Sequence, residues 1–565
     1  MINFEKISRS SFLMAAPFSL MIGVPAFGQS VVIPPSADIS RLRLPPPDLP
    51  TQEDYDVTIR NPEESVVPKD VSSLDFLVSK VRVNGATYFS ADQINEIFSS
   101  IEGRRVRLEE LREYANQLQE LYANEGFLLT RVILPPQTIE DGIVTVEVVE
   151  GFLDNIAVDD SAALGGNLAK AALSEMVGAK PLNIRELDGK LLILNDTPGV
   201  SVKTLLRPGS ESGAAEMAIT TSRPSNQGFF SVSNTGSDAI GPVIYSVGYT
   251  VNSPFGHPAA LDLSLSSAGH TLEELLAVSG RYAFPVGPDG NILYLGGLAA
   301  RARPGGEAAE LEVASSSYSV EARLRSPLLR NRSTAIYLET AVTFASTRVE
   351  ALDTVITRDK IVSGQIGLRG QHQSDLGQTA LQFVATGGIP AFGALDQSNP
   401  TPSVVDFESK FLKFDWQFDH LFPPSRSMSF LFRASGQWSD DRLLAGEQLA
   451  FGGPQLGRGY APSSLTGDRG FGLLGELRLD FPDVYEAGVI AKLQAYSFGD
   501  WAKTKLLAGE GVQAEKQSLL SYGFGLRAVV AERALLDLQF ASDGRELAGI
   551  KRRPARLNLS LVQVL

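Results

Sequence analysis

The residue types that most often carry catalysis are thinly spread in this chain of 565 residues. Its four histidines, His257, His270, His372 and His420, lack the spacing of a metal site or a nucleophile–histidine relay, and cysteine is absent. No G-x-S-x-G elbow and no phosphate-binding loop occurs. Gly470, Gly472 and Gly475 form a G-x-G-x-x-G string, but no βαβ pattern surrounds it, so glycine there reads as relief of crowding where a strand begins. The expectation is a protein that is not an enzyme and carries no metal or cofactor. One segment stands apart, Phe451-Gly452-Gly453-Pro454-Gln455-Leu456-Gly457-Arg458-Gly459-Tyr460. Glycines on both sides of a lone arginine, next to an aromatic, predict a tight hairpin presenting one cation and one ring, with an ordinary surface loop as the other reading.

The elements that must position this segment follow from composition and periodicity. The chain is 43% hydrophobic and 20% charged, enough apolar surface for several domains. Lys6 and Arg9, an apolar run over residues 12–24 and Ala26-Phe27-Gly28 predict a secretory signal peptide, residues 1–28. The run is too short for a spanning anchor and is interrupted by Pro17; no later apolar stretch reaches spanning length. A net charge of −15 and a pI near 5.0 argue against a nucleic-acid partner. The local cluster Lys551-Arg552-Arg553 reads as a loop or membrane-rim feature.

Residues 29–73 contain Pro34-Pro35 and Pro45-Pro46-Pro47 and no sustained period, which predicts an extended linker with at most one short helical turn near residues 36–43. Residues 74–150 read as strand, helix, helix, strand, strand. Residues 78–83 alternate, Ser90 with Gln93 forms a capping box, and Leu108, Leu111, Ala115, Leu118 and Tyr122 fall at helical spacing before Gly126. Residues 128–134 and 143–150 follow as strands. The same order returns in residues 151–224, with helices over residues 167–176 and from Asn183 to near Asn195, then a closing hairpin. Each unit is a small sheet covered by two helices.

After residue 225 strands of period two run to the last residue. Phe430, Phe432, Ala434, Gly436 and Trp438 share one face of a strand, with Ser429, Leu431, Arg433, Ser435 and Gln437 on the other. In residues 473–481 the apolar face carries Leu473, Gly475, Leu477, Leu479 and Phe481, which places Glu476, Arg478 and Asp480 toward the lumen. Alternation alone fits a sandwich as well as a barrel. Extent favours the barrel, since about 340 residues at roughly 42 per hairpin give about sixteen strands, and closure removes the exposed edges. The fold expected is mainly β with an α+β periplasmic part: two tandem small domains, then a 16-stranded antiparallel transmembrane β-barrel over residues 225–565, with an inward-folded or extracellular loop at about 445–470.

The hairpin segment resembles the sixth-loop signature of the TpsB-type outer-membrane transporters of two-partner secretion, the haemolysin secretion/activation family of the Omp85 superfamily. That family's tip reads Val-Arg-Gly-aromatic; here it is Gly457-Arg458-Gly459-Tyr460. A second family element, F-x-D-x-G, is matched by Phe498-Gly499-Asp500-Trp501-Ala502, with alanine replacing the last glycine. Gly126-Phe127, Pro135-Pro136-Gln137, Gly142 and Glu150-Gly151 resemble a first POTRA domain; Pro198-Gly199-Val200 and Pro208-Gly209 resemble a second. Asn234-Thr235-Gly236-Ser237 with Ile240-Gly241 is similar to the family's first barrel strands, whereas the terminal Leu565 departs from the usual aromatic.

The resemblance implies a loop folded into the barrel, its tip formed by Gly452, Gly453, Arg458, Gly459 and Tyr460, with Phe498 and Asp500 as its wall partners and Arg458 paired to Asp500. It implies capture of an unfolded secreted partner (an adhesin, a haemolysin or a similar β-helical protein) by periplasmic domains. Outer-membrane lipid and the barrel assembly machinery are further implied partners. An outer-membrane protein insertase and a passive solute pore are the other two readings open at this point.

Overall fold

A computed structural model of the chain describes residues 39–49, 58–59, 75–159, 165–269, 273–305, 307–394, 401–481, 490–509, 511–531, 533–547 and 555–565. The expected signal peptide and the basic cluster at 551–553 lie outside the described residues.

β1 (Thr58–Ile59) lies ahead of the first unit. That unit runs β2 (Asp75–Val78), β3 (Lys80–Asn84), α1 (Ala91–Phe98), β4 (Arg104–Arg107), α2 (Leu108–Asn124), β5 (Arg131–Ile133) and β6 (Ile143–Val149). At the start of α1 the Ser90 hydroxyl accepts from the Gln93 N–H while the Gln93 side chain accepts from the Ser90 N–H, closing the capping box. In α2, Leu111, Ala115, Leu118 and Tyr122 form the buried stripe, and Gly126 leaves the helix at a φ of +99°. These residues pack against Val144, Val146 and Val148 of the sheet β3-β6-β5.

Three details differ from the sequence expectation. The alternating stretch 78–83 divides at Ser79 into β2 and β3, and the strand expected over 128–134 shortens to β5. β4, which pairs with β2, was not expected, because Val106 is its one buried residue and three arginines surround it. Its strand state comes from a partner, not from a local pattern.

The second unit runs β7 (Phe152–Asp159), α3 (Gly166–Leu173), α4 (Ile184–Asn195), β8 (Ser201–Pro208) and β9 (Ala214–Ser222). The Asn183 side chain caps α4 by accepting from the Arg185 and Glu186 N–H groups. β1 adds in parallel to β8, giving the sheet order β1-β8-β9-β7. The Ile184 N–H donates to the Gly126 carbonyl at 2.9 Å and the Arg185 guanidinium to the Asn124 carbonyl at 2.7 Å, so the helix end of one unit caps against the helix start of the next.

Sixteen strands from Gln227–Ser233 to Arg556–Val564 then form a closed antiparallel barrel. Phe229 opposite Val564 and Ser233 opposite Ser560 make the seam, and the Asn234 side chain bridges to the backbone of Leu557 and Leu559. Exposed Phe430, Trp438, Leu477, Leu479 and Phe481 confirm the outer apolar face, with Gln437 and Glu476 buried inside. On one rim, α4 docks: Asp196 accepts from Arg330 at 2.8 Å and from the Tyr337 hydroxyl at 2.7 Å, while Asp188 accepts from Arg332 at 2.7 Å. That rim is therefore the one that faces the two N-terminal units.

Residues 39–49, expected as linker, lie inside the barrel. A single turn closes from the Leu42 N–H to the Ile39 carbonyl. Ile39 and Leu42 are fully buried against Ile240, Ala268, Leu275 and Ala300 of the wall. The segment carries no helix; the prolines that follow the turn explain why.

Candidate functional site

The segment at 440–468 joins the eleventh barrel strand (Met428–Ser439) to the twelfth (Arg469–Asp480). It folds inward as a small hairpin in which Leu449–Phe451 pairs with Leu465–Gly467. Gly452, Gly453 and Gly457 at the tip all have positive φ, which explains the glycine-rich composition of the turn. Gly457, where the family signature has valine, sits at φ +93°, a conformation that strains a β-branched residue, and its N–H donates to Asp500. Leu456 fills the adjoining apolar space with Phe451, Tyr460, Leu474, Ala502 and Leu519. Ala502, the second departure from the signature, is part of that packing.

Arg458 is held on every side. Its own N–H donates to Asp500 at 3.0 Å, its Nε and Nη2 to the two Asp500 oxygens at 3.3 and 3.1 Å, and its Nη1 to Glu476 at 2.6 Å. The guanidinium lies 3.5 Å over the Phe498 ring. The Ser521 hydroxyl donates a further bond to Asp500. Glu476 also binds Arg527 at 2.7 Å and Arg478 at 2.8 Å, while Arg527 reaches Asp537 at 3.0 Å. Arg458, Arg478 and Arg527 thus balance Glu476, Asp500 and Asp537 in a closed network. The Arg458, Glu476 and Asp500 side chains are each no more than 3% exposed, so this is a desolvated network. Breaking one partner of such a pair costs about 3–5 kcal/mol because a buried charge is left uncompensated.

Two neighbours finish the seat. Gly459 lies against the fifteenth strand (Ala534–Asp543), where an added Cβ would stand 2.4 Å from the Ser542 carbonyl oxygen. The Tyr460 hydroxyl shares its one proton between the carbonyls of Leu520 and Arg545 and accepts from the Arg545 N–H. Gly472, from the glycine string, leaves room for Leu456 and Phe451, whose atoms would be 2.8 Å from a Cβ.

All the residues expected at the tip and on the wall therefore converge, apart from Asp480, which faces inward but bonds Gln494 away from the tip. The sequence placed Glu476 toward the lumen without assigning it to Arg458. It missed Arg527, Asp537 and Tyr496; inward alternation on their strands was the available signal, and nothing in it names a partner. Among the described residues no cluster suited to a metal ion occurs.

At its other end the loop meets the N-terminal segment. Arg41 donates to the Ala445 carbonyl at 2.5 Å and to the Gln448 side chain at 3.2 Å. Arg43 lies 3.5 Å from Glu447, which Lys413 of the wall binds at 3.0 Å.

Comparison with known proteins places this architecture. Residues 217–528 match the family described as haemolysin secretion/activation protein ShlB/FhaC/HecB, and residues 76–151 match the ShlB-type POTRA domain. The chain is 24% identical over 528 residues to the heme/hemopexin transporter protein HuxB of Haemophilus influenzae strain 86-028NP, covering 90% of each. It is 23% identical over 449 residues to the outer membrane transporter CdiB of Escherichia coli strain 536, covering 75% of this chain and 72% of that one. The solved structure of CdiB from Escherichia coli superposes with a TM-score of 0.71 at 20% identity, covering 91% of this chain and 94% of that one. With a closed sixteen-stranded barrel, a POTRA domain before it and a family match across more than half its length, the chain belongs to the haemolysin secretion/activation family of outer-membrane transporters, ShlB/FhaC/HecB.

Proposed function

We propose that this protein captures one extended partner polypeptide in the periplasm and moves it through its barrel to the cell surface, with Arg458, Asp500 and Glu476 locking the resting pore. The observation that carries the reading is the filled lumen: a loop tip fixed to one wall by a desolvated ion network and an N-terminal segment laid along another. A standing channel of sixteen strands leaks solutes, so a filling that can be released separates rest from transport. We assign residues 74–150 and 151–224 as two POTRA domains, with residues 225–565 as the translocating barrel. The β3-β6-β5 sheet of the first domain can accept an extended strand at its β5 edge, backbone bonds giving affinity and alternate side chains giving selection.

The partner in this reading is a long secreted polypeptide of the haemolysin, adhesin or other β-helical type, and the barrel reaches the outer membrane through the barrel assembly machinery. No nucleotide-binding motif is present in the chain, so folding of the partner outside the cell supplies the direction. The test compares culture medium from wild-type and Arg458→Ala cells by mass spectrometry, with barrel abundance in the outer membrane measured alongside. Loss of one large secreted polypeptide at unchanged barrel abundance supports the lock. Unchanged secretion overturns it. Damage to other outer-membrane barrels on deletion of residues 74–224 would point to an insertase instead.

A further inference from the structure

The N-terminal segment is held in the lumen in an unusual way. Arg281 donates to the Pro45 carbonyl. Arg325 donates through Nη2 to the Pro47 carbonyl at 2.6 Å and through Nη1 to the Asp48 carbonyl at 2.8 Å, and Arg369 shares the Pro47 carbonyl at 2.5 Å. Three wall arginines, on three barrel strands, thus bind the segment through its main chain. Their own positions are fixed from behind: Glu339 lies 2.9 Å from Arg325 and 3.6 Å from Arg369, and the Arg325 guanidinium sits between the rings of Tyr294 and Tyr337. The Arg281 Nε, buried and without a partner among the described residues, leaves one more donor for a carbonyl.

The complementarity is chemical. A proline run offers carbonyl acceptors and no N–H donors, and arginine offers five donors and no acceptor. Nothing in these contacts reads a side chain, so any extended backbone that presents carbonyls at this spacing meets the same donors. The segment also lies along the pore, with Arg41 and Arg43 at the inward loop and Asp48 beside Arg325, five residues before Arg330 at the rim where Arg330 meets Asp196.

We infer that Arg281, Arg325 and Arg369 form a binding site for the carbonyl oxygens of an extended polypeptide, occupied at rest by Pro45–Asp48 and during export by the passing partner. This rests on the export reading above. The resting segment is then an internal stand-in for cargo, and release and entry of the two chains are one exchange at one set of donors.

The experiment uses the full-length protein in planar bilayers, with Arg41→Gln/Arg43→Gln to loosen the segment, and measures block of the ion current by three capped peptides. One has the sequence of residues 39–49, one is its scramble, and one is an unrelated serine- and threonine-rich peptide of the same length. The expected result is block by all three, weakened about tenfold for each arginine–carbonyl bond removed when Arg325→Gln or Arg369→Gln is added. Arg325→Lys, which keeps the charge beside Glu339 but not the fork, guards against misfolding and gives the same direction of loss. Block by the 39–49 peptide alone, or block unchanged in the arginine variants, overturns the site. Secretion into the medium is followed separately in the same variants: intact peptide block with no partner secreted by the wild type removes the export reading and leaves the site standing.

Discussion

The lumen contains two clusters of arginines that do opposite things. At the loop tip, Arg458 belongs to the inward-folded loop and is matched by carboxylates of the wall, Asp500 and Glu476, so recognition is side chain to side chain. Beside residues 45–48 the arginines belong to the wall and the N-terminal segment offers only its backbone. The first arrangement admits one sequence; the second admits many. On the function proposed above, a pore that recognises its own closing loop once, yet passes a long chain of changing sequence, uses both kinds of contact, and they stand on different strands of the same barrel.

Substitutions at the two clusters should therefore differ in size. Arg458→Ala, which leaves the buried Asp500 without its cation and takes one of three arginines from Glu476, is expected to destabilise the seated loop by about 3–5 kcal/mol, read as protease cleavage within 445–468 in barrels that retain their heat-dependent gel mobility. A loop still protected in that variant would remove the distinction. Gly459→Ala pushes a methyl toward the Ser542 carbonyl and should cost the seat about 2–3 kcal/mol; an unchanged cleavage rate would show that the fifteenth strand gives way.

Glu150 supplies an intermediate case outside the barrel, a carboxylate that accepts from the Thr87 and Tyr88 backbone and the Thr87 and Tyr122 hydroxyls with no cation among the described residues. Burial pushes its pKa up, but the bonds from Thr87, Tyr122 and Tyr88 outweigh burial and hold it below the ordinary glutamate range. A depressed pKa means stabilisation that is present above the unfolded value and lost as pH falls through the folded one. Amide exchange at Thr87 and Tyr88, corrected for its intrinsic pH dependence, should accelerate on acidification in the wild type and lose that dependence in Glu150→Gln. The smallest effect is expected at the plug: Pro47→Ala keeps the carbonyl and should change residual ion current by less than about 1 kcal/mol equivalent. A large leak there would mean that the proline ring, not its carbonyl, is being recognised.

The same contrast explains what the sequence made legible. The loop tip was readable because its demands fall on residue types: glycine where φ is positive, arginine and aromatic at fixed offsets, an aspartate on an alternating strand. Barrel and helices were readable because period two and the stripe through Leu111, Ala115, Leu118 and Tyr122 state which face is buried. Residues 39–49 were read as linker because backbone carbonyls leave no trace in residue identity, and Ile39 and Leu42 are too few to show a period. Arg281, Arg325 and Arg369 were passed over for a related reason: each is an ordinary inward residue on its own strand, and only the pairing of five consecutive strands into one curved wall brings them to one chain. β4 stayed hidden because three of its four residues are arginine.

The two-residue strand β1 has a consequence for when the pore can respond. It occupies the β8 edge of the second periplasmic unit and is separated by eight residues, at most about 32 Å of chain, from the end of the segment in the lumen. A polypeptide that seeks that edge competes with a tethered rival whose local concentration is on the order of millimolar. Passing periplasmic chains at micromolar levels are outcompeted by about a thousandfold, whereas a partner already held at a neighbouring edge meets the tethered strand on equal footing. Tether length thus sets a threshold for admission, and lengthening the chain between residues 49 and 58 lowers it gradually without altering a single contact in the barrel.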